Sequence, residues 1–223
     1  MWTMVLAAFF AAAPAALQTA RDQQDRPALQ KLVDESFAAA AQAPKDADAQ
    51  YRAALAASYQ AEVALEVRDK KLAEQAAERG VKAAEQAIAL KPGDAEYYRI
   101  LGTLCGQVVP ANVILGLSYG KRAKDAIDKA IALDAKSSAA YMARGVGNYY
   151  LPEALGGGSN LAVADFRKSI DFDPKNADAW LWLGIALRKQ NKHAEARQAF
   201  AKSVELNPKR IWAKEQLDKT PAQ

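Results

Sequence analysis

The sequence has few of the residues that build catalytic and metal sites. Among its 223 residues there is one cysteine, Cys105, and one histidine, His193. A lone cysteine cannot form an internal disulfide, and a lone histidine without a cysteine partner is a poor basis for a zinc site. We expect Cys105 to be a buried, inert thiol and His193 to be a solvent-facing turn residue. No metal and no cofactor are predicted.

Catalytic motifs are missing as well. The sequence contains no HExxH, G-x-S-x-G or S-x-x-K pattern, and its many carboxylates are spread along segments with helical periodicity. Such carboxylates are expected to keep helix surfaces soluble rather than to act as an acid–base pair. The sequence therefore indicates a protein that is not an enzyme.

Strand patterns and long apolar runs are also scarce. Sustained alternation of β-branched and polar residues is not found, and the chain has 9 prolines and 12 glycines, several of them between periodic segments. Its hydrophobic content of 51% is raised by alanine, a strong helix former. The net charge of +4 is distributed as interleaved acids and bases, which predicts solvated helix surfaces and no nucleic-acid partner. These features indicate an all-α protein.

The N-terminus carries the main apolar run, TMVLAAFFAAA at residues 3–13, which is too short to span a membrane. Small residues follow it, including Ala13-Pro14-Ala15, and the first charged side chain is Arg21. We predict a signal peptide over residues 1–20, a polar linker over 21–26, and a periplasmic or secreted protein without a stable membrane span after cleavage. No lysine or arginine precedes the run, so a tether made by an uncleaved N-terminal segment and a buried N-terminal helix remain the alternatives.

The clearest pattern occupies the 34 residues 177–210. Trp180 and Leu183 lie on one helical stripe, Gly184 allows a second helix to approach closely, and Pro208 ends that helix. The full set is Trp180, Leu183, Gly184, Ala196, Phe200 and Pro208. This set resembles the tetratricopeptide repeat (TPR), in which two antiparallel helices form each unit.

Weaker copies of the pattern precede this unit. The resemblance implies a TPR-type α-solenoid of antiparallel helical hairpins over residues 27–219, with hairpins ending near 92, 135, 174 and 208. An opening helix is predicted at about 27–42 and a capping helix at about 210–219. Residues 220–223 are predicted to be a disordered tail.

Three of the units are longer than 34 residues, and the clearest insertion is the turn from Pro152 to Asn160. It lacks the lysine and preceding strand of a phosphate-binding loop. We expect its glycines, residues 156–158, to take left-handed conformations and Ser159 or Asn160 to cap the next helix. A Pro-x-x-x-Gly-Gly turn within a long repeat resembles the regulator of microtubule dynamics family and a TPR component of some periplasmic substrate-uptake transporters.

In TPR proteins the first helices of successive hairpins line a ligand-binding groove, and the resemblance implies such a groove here. The helical period, projected from the packing residues, places nine residues on it: Arg99, Thr103, Met142, Val146, Tyr149, Leu181, Ile185, Arg188 and Lys189. Tyr150 is expected at its margin. Aromatic and methionine side chains beside cations suit a protein or peptide partner, which indicates a scaffold or adaptor. The alternative is a small-ligand-binding accessory component of a periplasmic transport system.

Overall fold

The computed structural model describes residues 14–112 and 114–221 of the chain. These residues form α-helices joined by short turns, and they contain no strand. Between α7 and α8 the chain makes a 3₁₀ turn at Glu153–Leu155. The helices are α1 (residues 14–22), α2 (Arg26–Gln42), α3 (Ala47–Glu66), α4 (Lys70–Leu90), α5 (Ala95–Ala111), α6 (Gly116–Leu133), α7 (Ser138–Tyr150), α8 (Ser159–Phe172), α9 (Ala177–Lys189), α10 (His193–Leu206) and α11 (Ile211–Asp218).

The helices stack in order as hairpins. The pairs α3/α4, α5/α6, α7/α8 and α9/α10 make large contacts, and α2 and α11 pack on the two outer members of this series. The first helices also touch one another in the order α3, α5, α7, α9. This is the predicted all-α solenoid with an opening helix and a C-terminal capping helix.

Short polar side chains determine where the helices begin. Asp46 accepts hydrogen bonds from the backbone N–H groups of the first turn of α3, and the same N-cap interaction recurs at five other helices. These caps satisfy N–H groups that have no partner inside a helix. The other capping residues are Asp25, Asp69, Asp94, Ser137 and Asn176.

Small residues bring the two helices of a hairpin together, as the repeat pattern predicts. A Cβ atom on Gly184 would lie 2.6 Å from Cε1 of Phe200, so the ring packs directly on the backbone of α9. A Cβ on Gly102 would lie 2.6 Å from Cδ1 of Ile127 in α6. Glycine at these positions therefore sets the separation between the helices of each hairpin.

The core changes character along the array. Around α3 and α4 it consists largely of alanine, and a Cβ on Gly80 would lie only 2.8 Å from the Cβ of Ala57. Around α8, α9 and α10 it contains larger side chains such as Phe166, Leu187 and Phe200. The first lengthened unit therefore packs mainly through small side chains, whereas the standard unit near the C-terminus packs through large ones.

The predicted linker at residues 21–26 is wrong. Arg21 and Asp22 end helix α1 and are buried, and Nη1 of Arg21 lies 2.8 Å from Oδ2 of Asp178, 157 positions away in the sequence. Only residues 23–25 form a turn, and α2 starts at Arg26. Charged side chains made this segment look solvated, but their partners come from distant helices.

The predicted signal peptide at residues 1–20 falls partly outside the described residues, since 1–13 are not described. Residues 14–20 belong to α1, and Leu17 and Ala20 are buried with Leu29 and Val33 of α2. Whether a leader is removed stays a prediction, but Leu17 and Ala20 belong to the packed core.

At the other end, the tail predicted from residue 220 is wrong for Thr220. Its side chain is buried, its Oγ1 donates to the backbone oxygen of Gln216 at 2.6 Å, and its own carbonyl accepts from Arg197 at 2.6 Å. Residues 222 and 223 lie outside the described part of the chain.

Candidate functional site

The nine predicted groove residues lie along three first helices, and we call the side of α5, α7 and α9 that carries them the first-helix face. Arg99 and Thr103 lie on α5, whereas the other seven lie on α7 and α9. The structure brings the five apolar and aromatic residues on α7 and α9 together in one cluster, which does not include Arg99, Thr103, Arg188 or Lys189. The face therefore has two chemically different halves.

The α5 half is a closed polar network. Arg99 is 8% exposed and donates through Nε to Glu96 at 2.7 Å and through Nη1 to Thr103 Oγ1 at 3.3 Å. The hydroxyl of Tyr51 donates to the same Glu96 carboxylate at 2.8 Å. Burial by itself would lower the pKa of Arg99, but the Glu96 carboxylate outweighs it, and the pKa is raised. Arg99 is thus engaged within the fold and is not free to bind an anion.

In the α7–α9 half, the predicted aliphatic residues belong to the core. Leu181 has no exposed surface and Ile185 is also buried, while Met142 and Val146 are half-buried against the same cluster. These side chains support the face from beneath. A partner bound to the surface of the array would not contact Leu181.

Arg188 connects α9 to the capping helix. Its guanidinium donates to Oε1 of Gln216 at 2.5 Å and to Oγ1 of Thr220 at 3.1 Å, and it lies over the ring of Phe200. These contacts join α9, α10 and α11. Arg188 therefore has a structural role that the helical projection does not indicate.

Lys189 is exposed and lies over an aromatic ring. Its Nζ is 4.4 Å from the centroid of the Tyr149 ring and donates to the Tyr149 carbonyl at 3.0 Å. Tyr149 is half-buried, and burial raises its phenol pKa, with Arg188 acting in the opposite direction. The pair therefore places an exposed cation against the ring of a half-buried tyrosine.

Tyr149 belongs to a row of four aromatic side chains that crosses from α7 to α11. The ring of Trp182 lies 5.9 Å from Tyr149, 6.2 Å from Tyr150 and 5.5 Å from Trp212, with edge-to-face geometry in each case. Tyr150 is 56% exposed, and the two tryptophans are half-buried. We call Tyr149, Tyr150, Trp182 and Trp212 the aromatic row.

The helical projection includes only Tyr149, with Tyr150 at its margin, and it misses the two tryptophans. Trp182 lies between the buried residues Leu181 and Leu183, and Trp212 belongs to the predicted capping helix. The signal that could have revealed the row is the recurrence of aromatic residues in neighbouring first helices.

The long turn after α7 borders this row. Gly156 and Gly158 have positive φ angles of 85° and 111°, as predicted, whereas Gly157 does not adopt a positive φ. Helix α8 is preceded by Gly158 without a side-chain cap, so the expected capping by Ser159 or Asn160 is wrong. Leu155 is 68% exposed, and Leu151 and Leu161 are exposed as well. The turn therefore extends the apolar surface beyond Tyr150.

The turn is attached to the fold through a buried carboxylate. Asp165 of α8 accepts from Nη2 of Arg144 at 2.6 Å and from Nδ2 of Asn148 at 2.8 Å. The backbone oxygen of Asn148 in turn accepts from the N–H of Gly158 at 2.8 Å. The turn therefore has a fixed position beside the row.

The cysteine and the histidine of the chain lie in different hairpins, Cys105 on α5 and His193 at the start of α10. No group of three or more His, Cys, Asp or Glu side chains among these residues could hold a metal ion. Burial raises the pKa of Cys105 to about 11, so its thiol stays protonated at neutral pH. His193 is half-buried at the start of α10 rather than solvent-facing, and its Nδ1 atom is enclosed.

No helix in the described part of the chain is both long enough and apolar enough to cross a membrane.

Comparison with protein families gives a direct assignment. The profile of the family "regulator of microtubule dynamics protein 1-3" matches residues 12–153, which is more than half of the chain. The chain belongs to the regulator of microtubule dynamics family. The family match runs from α1 to the first residue of the 3₁₀ turn, so it rests on helices upstream of the Pro-x-x-x-Gly-Gly turn. The turn itself contributes almost nothing to it.

Two further comparisons match shorter parts of the chain. A tetratricopeptide-repeat profile matches residues 166–198, within α8 to α10. Superkiller complex protein 3 of Homo sapiens is 35% identical over 74 residues, which is 33% of this chain and 4% of that protein. The chain thus spans only a small part of the length of the curated relative that it matches.

Solved structures with low sequence identity share the fold. The thermophilic TPR protein TTC0263 of Thermus thermophilus superposes with a TM-score of 0.64 at 16% identity, covering 93% of this chain and 97% of that one. A chain of the Cut9–Hcn1 hetero-tetramer gives 0.51 at 13% identity, covering 86% of this chain and 39% of the other. This member of the family therefore has the TPR fold. The TPR fold serves in general as a scaffold for protein interactions.

Proposed function

We propose that this regulator of microtubule dynamics family member is a non-catalytic adaptor that binds a protein or peptide partner on the aromatic row. The observation that carries the proposal is the row itself, in which Trp182 contacts the other three rings and Tyr150 is 56% exposed. The exposed cation Lys189 and the exposed leucine Leu155 flank it.

The chemistry of the row favours a segment with apolar and acidic side chains. Tyrosine and tryptophan supply large, rigid contact areas with little loss of side-chain entropy, and they are enriched among residues that dominate binding energy. Lys189 adds a positive charge beside Tyr149. A peptide with an apolar residue packed on Tyr150 and a carboxylate near Lys189 would satisfy both features.

We place this adaptor in the periplasm or the secreted space. Support comes from the apolar segment at residues 3–13 and the small residues after it. Attachment to the membrane by an uncleaved N-terminal segment is the alternative. Determination of the mature N-terminus by mass spectrometry distinguishes the two.

The test of partner binding is site-specific photocrosslinking. A photoreactive amino acid replaces Tyr150, the protein is irradiated in its native cells, and adducts are identified by mass spectrometry. The binding of an identified partner is then measured with the double variant Tyr150→Ala/Lys189→Gln and with Phe172→Ala, which removes an exposed ring on α8 outside the row. We expect at least a roughly tenfold loss of affinity for the double variant and none for Phe172→Ala. Equal affinity of the double variant and the native protein would exclude the row as the binding site.

A small-ligand accessory role is the second candidate, and it has a different location. A cleft of about 460 Å³ lies between α2, α3 and α4, with Leu29, Val63 and Leu72 beside the amides of Gln30 and Gln60. Its size and mostly apolar lining are typical of small-molecule sites. A thermal-shift screen with organic anions tests this role, and a shift that is lost in Gln60→Leu would support it.

The name of the family suggests microtubules as a further candidate partner. Co-sedimentation of the purified protein with polymerised tubulin tests this directly. Binding there would argue against an exported adaptor, and its loss in Tyr150→Ala/Lys189→Gln would still place the contact on the aromatic row.

A further inference from the structure

The two ends of the helical array meet in a buried group of charged side chains. Helix α1 and the end of α3 belong to the N-terminal end, whereas the start of α9 and the turn before α11 belong to the C-terminal end. Six side chains from these four segments form the group, which we call the clasp: Arg21, Asp22, Glu62, Glu66, Asp178 and Arg210.

Arg210 is the centre of the clasp and has no exposed surface. Its Nη2 atom lies 2.7 Å from Oε1 of Glu62 and makes a close ion pair with Glu66, 144 positions earlier in the chain. Its Nε atom is 3.5 Å from Asp178 and 3.8 Å from Asp22. One guanidinium therefore contacts all four carboxylates.

Arg21 makes the second connection between the ends. It pairs with Asp22 at 2.6 Å, with Asp178 at 2.8 Å and with Glu62 at 3.6 Å. Its side chain is 6% exposed and lies over the ring of Tyr59, 4.9 Å from the centroid. Helix α1 is thus held against α9 as well as against α3.

The clasp contains four carboxylates and two guanidinium groups, so its full ionisation leaves two uncompensated negative charges in a buried site. Like charges that converge in a site of low polarity disfavour the fully ionised state, and a proton taken up by one carboxylate relieves the excess. Glu66 and Asp22 are the most enclosed, with side chains 3% and 5% exposed, against 23% for Glu62 and 22% for Asp178. Within the clasp, Asp22 lies against both guanidinium groups, whereas Glu66 pairs with Arg210 alone and shares that cation with Glu62. Glu66 is therefore the carboxylate that gains most from protonation.

Neutral groups complete the surroundings of the clasp. The amide of Gln24 donates to Oε2 of Glu66 at 2.9 Å, and the amide of Asn207 donates to Oδ2 of Asp22 at 2.8 Å. Outside it, Arg26 pairs with Asp69 at 2.9 Å. Within residues 14–112 and 114–221, Arg21 and Arg210 are therefore the cations that pair with the carboxylates of the clasp.

We propose that the clasp is a proton-operated closure of the array. Uptake of one proton, chiefly at Glu66, holds the two ends together, and loss of that proton loosens them. The closure also bears on the aromatic row, because the guanidinium of Arg210 lies over Trp212. The inference concerns the shape of the array and does not depend on the proposed function.

The direction of the pH dependence follows from the two carboxylates whose pKa values shift. Burial raises the pKa of Glu66 to about 7, with Glu62 adding to the rise and Arg210 and Gln24 opposing it. A raised pKa favours the closed form at low pH, and this contribution is lost as pH rises from about 4.5 to about 7. Burial acts to raise the pKa of Asp178 as well, but Arg21 and Arg210 outweigh it and the pKa is lowered. Asp178 therefore supports closure above its ordinary pKa and ceases to do so in stronger acid, so closure is tightest near about pH 5.

The test measures the distance between the ends. Spin labels are attached to Lys70→Cys on α4 and Lys209→Cys in the turn before α11, two positions outside the clasp. The buried thiol of Cys105 stays unlabelled. Double electron–electron resonance is recorded at about pH 5 and about pH 8 for three backgrounds: native, Glu66→Gln, and Glu85→Gln, whose exposed carboxylate pairs with Arg122.

For the native protein we expect one narrow distance at about pH 5 and an added longer population at about pH 8, with the closing equilibrium changing by at least about tenfold. Glu66→Gln should give the narrow distance at both pH values, because its amide mimics the protonated acid. Glu85→Gln should respond as the native protein does. Identical native distributions at both pH values, or a response that persists in Glu66→Gln, would overturn the proposal.

A second measurement covers the case in which Glu66→Gln does not fold. Carbon-13 titration of the side-chain carboxyls of the native protein assigns the protonation directly. A midpoint for Glu66 above about 5.5 supports the closure, and a midpoint at or below about 5.5 contradicts it.

Discussion

A Cβ atom on Gly145 would lie 2.5 Å from Cε1 of Phe166, so the α7 backbone rests directly on a phenylalanine ring of α8. The ring is fully buried, so the surrounding core limits its movement away from an added methyl group. We predict that Gly145→Ala destabilises the protein by about 1–2 kcal/mol, since overpacking outweighs the gain in helix propensity. Urea denaturation followed by circular dichroism measures the change.

Gly147 provides the matched control on the same helix. No atom lies within 4 Å of its hypothetical Cβ. Gly147→Ala should therefore leave stability unchanged or raise it by up to ~1 kcal/mol. If both variants lost the same stability, the contact with Phe166 would not be the reason for glycine at position 145.

The buried carboxylate of Asp165 fixes the long turn, and its removal should destabilise the fold and loosen the turn. Asp165→Ala leaves Arg144 and Asn148 without their acceptor, which costs about 1–3 kcal/mol of unfolding free energy. Asp171→Ala, at an exposed position on the same helix, should cost less than ~0.5 kcal/mol. Limited proteolysis offers an independent readout, because we expect faster cleavage between Pro152 and Gly158 in Asp165→Ala only.

Helix α1 leads to a prediction about processing. Leu17 and Ala20 are buried against α2, and Arg21 joins the clasp. A chain that begins at Arg21 should have a free energy of unfolding about 2–4 kcal/mol lower than that of a chain that begins at Pro14. Urea denaturation of the two chains measures this difference. If a leader is removed in the cell, its cleavage site should lie before Leu17. Detection of a natural N-terminus at Arg21 would contradict this prediction.

Cys105 should be inert in the folded protein. Its thiol is buried with a pKa of about 11, so a disulfide reagent at about pH 8 should modify it only after denaturation. Ser118→Cys places a thiol at an exposed position and should react within seconds to minutes in the native state. Rapid modification of Cys105 without denaturant would show that the α4–α5 core opens readily.

Much of the architecture could be predicted from the sequence because the residues of the repeat motif pack against partners that are close in the sequence. Gly184 and Phe200 meet within one hairpin, so their spacing in the repeat motif implies their contact. The lengthened first unit could likewise be expected from the absence of helix breakers, and α3 and α4 contain 20 and 21 residues. Local spacing was sufficient for these features.

The features that the sequence does not reveal depend on contacts between distant parts of the chain. Arg21 and Asp22 lie in a polar stretch that is typical of a linker, and only the position of Asp178 makes them interior residues. Arg188 projects onto the predicted groove, but α11 packs over it and engages its guanidinium. In both cases the sequence pattern indicates a polar or groove-facing position, but helices that are distant in the sequence cover the side chain.

The meeting of Arg210 with Glu62 and Glu66 also bears on how such an array can change over evolutionary time. An open solenoid can gain or lose a unit by duplication, since each unit touches only its neighbours. Here an additional hairpin between α4 and α9 would carry Arg210 away from its carboxylates and leave several buried charges without a counter-ion. Insertion of a further hairpin between α4 and α9 should therefore destabilise this array, because the turn before α11 must reach the end of α3.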